Sequence, residues 1–247
     1  MKRLLCTAAL GATACNRDPD CASDKASPSG ADAVSILTED GLCLVADHYR
    51  APAGAPAVVL LHMTPTRWDR NSWSVDFQLD LYGEGWSVLN LDRRGAGDSE
   101  GNAVDAFEGE GGARDVRAAF DYLGSEGVGS IAIVAASNGT TSALDYLALA
   151  SGQGLVEPVS MVLMSPGTYT ENQTSIDTLA DQDTPTLFQY DASEGLWIGA
   201  ELDTLDPGSW QTQAYDGAGH GSQMLDETAE VGTDARRFLD EHWPALP

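Results

Sequence analysis

Basic side chains are scarce: 13 lysines and arginines stand against 38 aspartates and glutamates in 247 residues, a formal charge of −25. So much carboxylate repels phosphate backbones and anionic lipid head groups, which excludes nucleic-acid binding and charge-driven docking on an acidic membrane. Cysteine is scarce as well. The four present are too few for a disulfide scaffold and lack a paired Cys-x-x-Cys, and the four histidines lack ligand spacing. No metal and no organic cofactor is therefore implied. No apolar run reaches the roughly 18 to 20 residues a membrane-spanning helix needs. What is present is a chain 43% hydrophobic, its aliphatic and aromatic residues recurring in blocks. That is no disordered polyacid, and the length suits one large α/β domain or two small ones.

The N-terminus reads as an export signal over residues 1–14: Met1-Lys2-Arg3 is a basic start, and an apolar, small-residue stretch from Leu4 to Ala14 ends just before Cys15. Ala12-Thr13-Ala14-Cys15 resembles the lipobox of bacterial lipoproteins, in which that cysteine becomes the lipidated first residue, although Ala12 replaces the usual leucine. The resemblance implies a cell-envelope protein whose membrane attachment runs through a lipid on Cys15. Plain periplasmic or secreted export and a cytosolic N-terminal helix are the other readings. Residues 15–32 are polar and rich in Asp, Ser and Pro, the composition of a flexible acidic tether. Asp18, Asp20 and Asp24 lack the glycine and glutamate of a calcium loop. In an oxidising compartment Cys21 and Cys43 are candidates to pair; two free thiols fit the sequence equally well.

Residues 33–247 alternate short apolar runs with helical periodicity. Val34–Thr38 and Leu42–Tyr49 flank the turn Glu39-Asp40-Gly41 and predict a hairpin. Ala57–Leu61, Trp86–Leu91, Ile131–Ala135, Ser160–Met164, Thr186–Tyr190 and Gln211–Tyr215 suit strands buried on both faces of a parallel sheet. Helical spacing fills Ser72–Glu84, Glu110–Ser125, Ser137–Ser151, Gly195–Thr204 and Gln223–His242. The expected fold is a doubly wound, mostly parallel α/β sheet of about eight strands with the hairpin at one edge. There is no internal repeat and no second domain, and the longest insertion, Gly167 to Asp183, has room for a small lid but no cap domain.

Chemistry in such a sheet belongs at the carboxyl ends of the strands. There Ala135-Ala136-Ser137-Asn138-Gly139 joins a strand to a helix, the arrangement of a nucleophile elbow, with Ala135 where a glycine is usual. By itself Ser137 is more commonly an ordinary N-cap than a nucleophile. The strand ending at Leu61 runs into His62-Met63-Thr64, and Trp86–Leu91 runs into Asp92-Arg93-Arg94-Gly95-Ala96-Gly97-Asp98-Ser99-Glu100-Gly101. Taken with the Asp40-Gly41 hairpin and the Gly217-Ala218-Gly219-His220-Gly221 turn, residues 34 to 243 resemble the α/β-hydrolase superfamily, specifically its capless dienelactone-hydrolase-like and esterase-like members. The resemblance implies that Asp92, Arg94, Gly95, Gly97 and Ser99 build a structural loop. The same glycines mimic a dinucleotide fingerprint, but their spacing and the absence of a helix start argue against one.

An elbow serine needs a general base, in such folds nearly always histidine. His48 sits inside an early strand, His242 near the end of the last helix, and His62 at a turn it is suited to orient. His220, in a glycine-rich loop after the last strand, stands in the Ser, acid, His order of the fold. The acid belongs after Thr186–Tyr190, where Glu194 takes the family's aspartate position and Asp191 is the rival; Asp203 is a more remote candidate. The family resemblance further implies an oxyanion hole from the N–H groups of Met63 and Asn138. The expected function is cleavage of small-molecule carboxylic esters through an acyl-enzyme on Ser137. A serine peptidase or amidase, and a non-catalytic surface lipoprotein that keeps the fold, are the alternatives. Trp68, Trp73, Tyr169, Trp197 and Trp210 are candidates for aromatic pocket walls, each individually better explained as packing. The negative field favours neutral or cationic esters over anionic ones.

Overall fold

The structure, a computed structural model, describes residues 27–167, 169–170, 176, 183–195 and 210–243. The residues read as an export signal, Cys15, Cys21, Trp197, Asp203, nearly all of the helix expected over Gly195–Thr204 and most of the insertion lie outside the described residues.

Among the described residues eight strands form one sheet: β1 (Asp32–Leu37), β2 (Cys43–Tyr49), β3 (Ala57–Leu61), β4 (Ser87–Leu91), β5 (Ile131–Ala136), β6 (Met161–Met164), β7 (Thr186–Asp191) and β8 (Trp210–Tyr215). Their order is β1-β2-β4-β3-β5-β6-β7-β8. The β1–β2 hairpin is antiparallel and β2 meets β4 antiparallel, whereas every pairing from β4 to β8 is parallel. This is the doubly wound sheet the apolar runs predict. Residues read from composition as the end of a tether already belong to the fold: Asp32 pairs with His48, and the Ser27 hydroxyl donates to Asp47 at 2.5 Å.

Strand side chains alternate between two cores, as the twofold repeat of a strand dictates. Ala57, Val59, Leu61, Ile131, Ile133 and Ala135 pack on one face with Val116, Phe120 and Leu123 of α2 (Gly111–Ser125) and Leu144 and Leu147 of α3 (Gly139–Gln153). Val58, Leu60, Ala132, Val134 and Ala136 pack on the other with Phe77 and Leu81 of α1 (Val75–Gly83) and Val231, Ala235 and Phe238 of α4 (Ala229–Glu241). Strands flanked on both sides have no solvated face, which is why their sequences read as unbroken apolar runs. The single helix expected over Gln223–His242 is interrupted. Thr228 takes extended backbone (φ −141°, ψ 107°) between one helical turn, Met224–Glu227, and α4, an irregularity that period alone does not reveal.

From β3 the chain crosses to β4 on one side and then returns to β5 on the other, so β3 and β5, now neighbours, send their following loops apart. The crevice at the carboxyl ends of β3 and β5 is the place where such a sheet binds ligands.

Candidate active site

Ser137 occupies that crevice at the sharp turn from β5 into α3. Its backbone is left-handed (φ 49°), a conformation that costs a non-glycine residue about 1–2 kcal/mol. The Ser137 N–H donates to Met164 O at 2.8 Å and its carbonyl accepts from Thr140 N at 2.9 Å, so strand and helix hold the turn from both sides. Gly139 is required by close packing: a Cβ there would stand 2.4 Å from Leu61 O and 2.6 Å from His62 O, both backbone atoms. The residue where a glycine is usual makes no such demand. Ala135 lies inside β5 between Leu61 and Leu163 and packs into the core, so a methyl group is accommodated.

His220 reaches Ser137 from the loop after β8. Its Nε2 lies 2.7 Å from Ser137 Oγ, and its Nδ1 meets Glu194 Oε1. With Nδ1 carrying its proton toward the carboxylate, Nε2 is left to accept the serine hydroxyl. Glu194 stands in a 3-10 turn, Ala192–Glu194, directly after β7. Its second oxygen accepts from Ser165 Oγ at 2.7 Å, and the same hydroxyl oxygen accepts the Gly221 N–H at 2.9 Å. Ser165 follows β6 with a left-handed backbone (φ 48°) that turns its hydroxyl into this position. Nothing in the sequence marks Ser165, because its usefulness depends on that backbone angle and on partners 29 and 56 residues away.

Asp191, the rival acid, is otherwise engaged. One oxygen caps the 3-10 turn, accepting Ser193 N at 2.9 Å and Ser193 Oγ at 2.5 Å; the other accepts Ala218 N at 2.6 Å and Gly219 N at 3.3 Å. These hydrogen bonds, those from Ser193 foremost, hold its carboxyl below the ordinary aspartate value. Asp191 therefore fastens the His220 loop to the end of β7, while Glu194, one turn further on, meets the imidazole.

Facing Ser137 is the turn after β3. Among the described residues no acceptor takes the backbone N–H of Met63 or of Asn138, although both residues are buried. Two unsatisfied N–H groups beside a serine hydroxyl are what a developing oxyanion requires. His62 orients this turn. Nδ1 lies 2.8 Å from Met63 O and Nε2 accepts the Arg93 N–H at 3.0 Å, and burial drives its pKa well down, so the ring is neutral.

The Asp92–Gly101 segment is a held loop. Asp92 accepts the Arg70 and Asp98 N–H groups and pairs with the Arg70 guanidinium, which also reaches Asp47 at 3.1 Å and Asp98 at 3.0 Å. Arg94 binds Asp115 at 2.8 Å and Asp40 at 2.9 Å, and the Ser99 hydroxyl joins Asp92 O to Val45 N. Arg70 and Arg93 are both fully buried, which the sequence does not signal, since arginine ordinarily belongs to a solvated surface.

The remaining candidates lie elsewhere. His48 bonds Tyr122 and Ser87, and burial lowers its pKa to about 4; His242 bonds Phe238 O at the end of α4. Trp73 is buried against Phe77, Trp68 packs on the same core, and Trp210 packs edge-on to Phe188. Tyr169 donates to Ser165 O, close to the site. Cys43 is disulfide-bonded, and its partner lies outside the described residues. No group of His, Cys, Asp and Glu suited to a metal ion occurs among the described residues.

No protein-family model and no curated protein matches the chain in sequence. Solved structures do match its fold. An esterase from a Rhodococcus species is similar at 18% identity, with a TM-score of 0.65 over 85% of this chain and 99% of the other. An esterase from Pyrococcus furiosus, also 18% identical, gives 0.66 over 85% and 90%. A serine hydrolase without a lid from Xanthomonas campestris, 14% identical, gives 0.67 over 91% and 100%. With its eight-stranded, mostly parallel sheet and its helices on both faces, this chain has the α/β-hydrolase fold.

Proposed function

We propose that the protein is a serine hydrolase that cleaves carboxylic esters. The observation that carries this reading is the unbroken hydrogen-bonded line from Ser137 Oγ through His220 to Glu194, beside two backbone N–H groups that donate to no described acceptor. In the reaction His220 Nε2 takes the hydroxyl proton as Ser137 Oγ attacks the ester carbonyl, and Glu194 stabilises the imidazolium. The N–H groups of Met63 and Asn138 receive the oxyanion. The proton then passes to the departing alcohol, and water, deprotonated by the same histidine, releases the acid. Small neutral or cationic esters are the substrates this reading favours, because a chain of charge −25 repels anionic ones.

Labelling with a fluorophosphonate tests the assignment: wild type takes up one label at Ser137 and Ser137→Ala takes up none. A folded wild type that stays unlabelled excludes every serine-hydrolase version. Turnover of p-nitrophenyl esters against aminoacyl anilides separates esterase from peptidase, and added salt should reduce the preference for cationic over anionic esters. We further propose export with a lipid on Cys15. The disulfide at Cys43 supports an oxidising compartment. Radiolabelled palmitate incorporation that is lost in Cys15→Ser tests the anchor.

A further inference from the structure

We propose that Arg93 is the positioning residue of the oxyanion hole, its guanidinium binding together the two residues whose N–H groups form it; this inference rests on the serine-hydrolase reading above. Arg93 follows β4 and is wholly buried, yet among the described residues no carboxylate pairs with it. The Asp115 carboxylate is taken by the backbone N–H and Nε of Arg94. The Arg93 guanidinium is instead spent on neutral acceptors. Nη2 donates to Met63 O at 2.7 Å and to Asn138 Oδ1 at 3.0 Å; Nη1 donates to Ser142 Oγ at 3.0 Å and to Ala106 O at 3.4 Å. Its backbone N–H donates to His62 Nε2 at 3.0 Å, and Nε has no hydrogen-bond partner among the described residues.

A buried cation with the Asp115 charge nearby but no carboxylate in contact among the described residues is costly, and an apolar side chain would fill the same space without that cost. The arrangement gains something particular in return. One nitrogen grips Met63 on the turn after β3 and Asn138 on the elbow after β5, and so fixes the spacing of two donors that belong to different loops. The other arm of the planar fork, Nη1, holds Ser142 and Ala106 at the same time and so fixes the first in direction, which a single ammonium group does not do. Burial lowers the Arg93 pKa only to about 10, so the group is a cation at neutral pH, beside the place where negative charge develops in the reaction. Arg93 thus acts on the transition state through the groups it holds and through its charge, without touching substrate.

The test compares wild type with Arg93→Met, Arg93→Lys and Asn138→Ala on p-nitrophenyl acetate. Three further readouts are fluorophosphonate labelling, the affinity of a trifluoromethyl ketone that forms a tetrahedral oxyanion adduct, and the downfield proton resonance of the His220–Glu194 hydrogen bond. Arg93→Met should lower kcat about 100-fold, the size of effect seen when an oxyanion donor is lost. KM should change less than about threefold, ketone affinity should fall in step with kcat, and the downfield proton should persist. Arg93→Lys should fall between the two, and Asn138→Ala should lose about fivefold in kcat by the same pattern. A labelled Arg93→Met enzyme with kcat within threefold of wild type overturns the proposal, as does a loss of kcat that comes with loss of the downfield proton. If Arg93→Met does not fold, Arg93→Lys and Asn138→Ala decide on the same criteria. A wild type that fails to label defeats the serine-hydrolase reading itself, a result distinct from any of these.

Discussion

Replacing Ser165 isolates the part of the site that holds Glu194. Its hydroxyl donates to Glu194 Oε2 at 2.7 Å and accepts the buried Gly221 N–H at 2.9 Å. A hydrogen bond to a charged group contributes about 1.5–3 kcal/mol, and a buried N–H left without an acceptor costs about 1–3 kcal/mol. In Ser165→Ala the first loss frees Glu194 to turn away from His220 and bears on the rate; 1.5–3 kcal/mol corresponds to roughly 10- to 150-fold in kcat. The second loosens the His220 loop and is read as a fall in Tm. Backbone strain is separable from both effects. Ser165 has φ 48°, so Ser165→Gly removes the hydroxyl and also relieves about 1 kcal/mol of left-handed strain that alanine retains. The glycine variant should therefore melt higher than the alanine variant while losing the same activity. The assay is kcat on a p-nitrophenyl ester alongside Tm by calorimetry. If both variants keep kcat within twofold of wild type, Ser165 does not orient Glu194 and the reasoning is wrong.

Other expectations follow from the same geometry. Glu194→Gln offers an amide to His220 Nδ1, favours the wrong tautomer, and should lower kcat on the order of 1,000-fold or more; Asp191→Asn, which weakens only the loop fastening, should lose far less activity and more Tm. Gly139→Ala should fail to fold stably or lose several kcal/mol in chemical denaturation, because the added methyl would meet backbone oxygens at 2.4 and 2.6 Å that cannot swing aside. Acid should destabilise the fold through Asp40. Burial acts to raise its pKa, but the Arg94 hydrogen bond and charge prevail and hold it at about 2, below the ordinary 3.8. A depressed carboxyl contributes stability that is complete above its unfolded value and disappears as the pH falls through the folded one. Tm should drop between pH 4 and 2, less steeply in Asp40→Asn; an unchanged slope in that variant would count against the assignment.

The sheet was legible because β3 to β7 are covered on both sides, so that burial writes itself into short runs dominated by apolar residues, with only isolated buried polar residues such as Asn90 and Gln189 among them. The break at Thr228 was not, since the apolar spacing of α4 continues through it. Ser137 and His220 could be singled out because an elbow and a glycine-rich turn are local patterns. The acid was ambiguous for a local reason too: Asp191 and Glu194 share one loop three residues apart, and only the three-dimensional course of the 3-10 turn distinguishes capping a backbone from facing an imidazole. Ser165 and Arg93 were illegible. Each works through partners brought close by the whole sheet, and neither residue type in its local setting signals that work.

The wide spacing of the hydrogen-bonded line along the chain has a consequence for synthesis. Ser137 and His220 are 83 residues apart, and the histidine is carried by the last strand to join the sheet. At translation rates of roughly 5–20 residues per second, the serine leaves the ribosome about 4–17 s before its histidine exists. Throughout that interval it is an ordinary alcohol, even where β3 to β5 have already assembled around it. On the serine-hydrolase reading Ser137 has no general base until β8 docks, so fluorophosphonate labelling would report closure of that edge of the sheet where circular dichroism would report only the bulk of the fold.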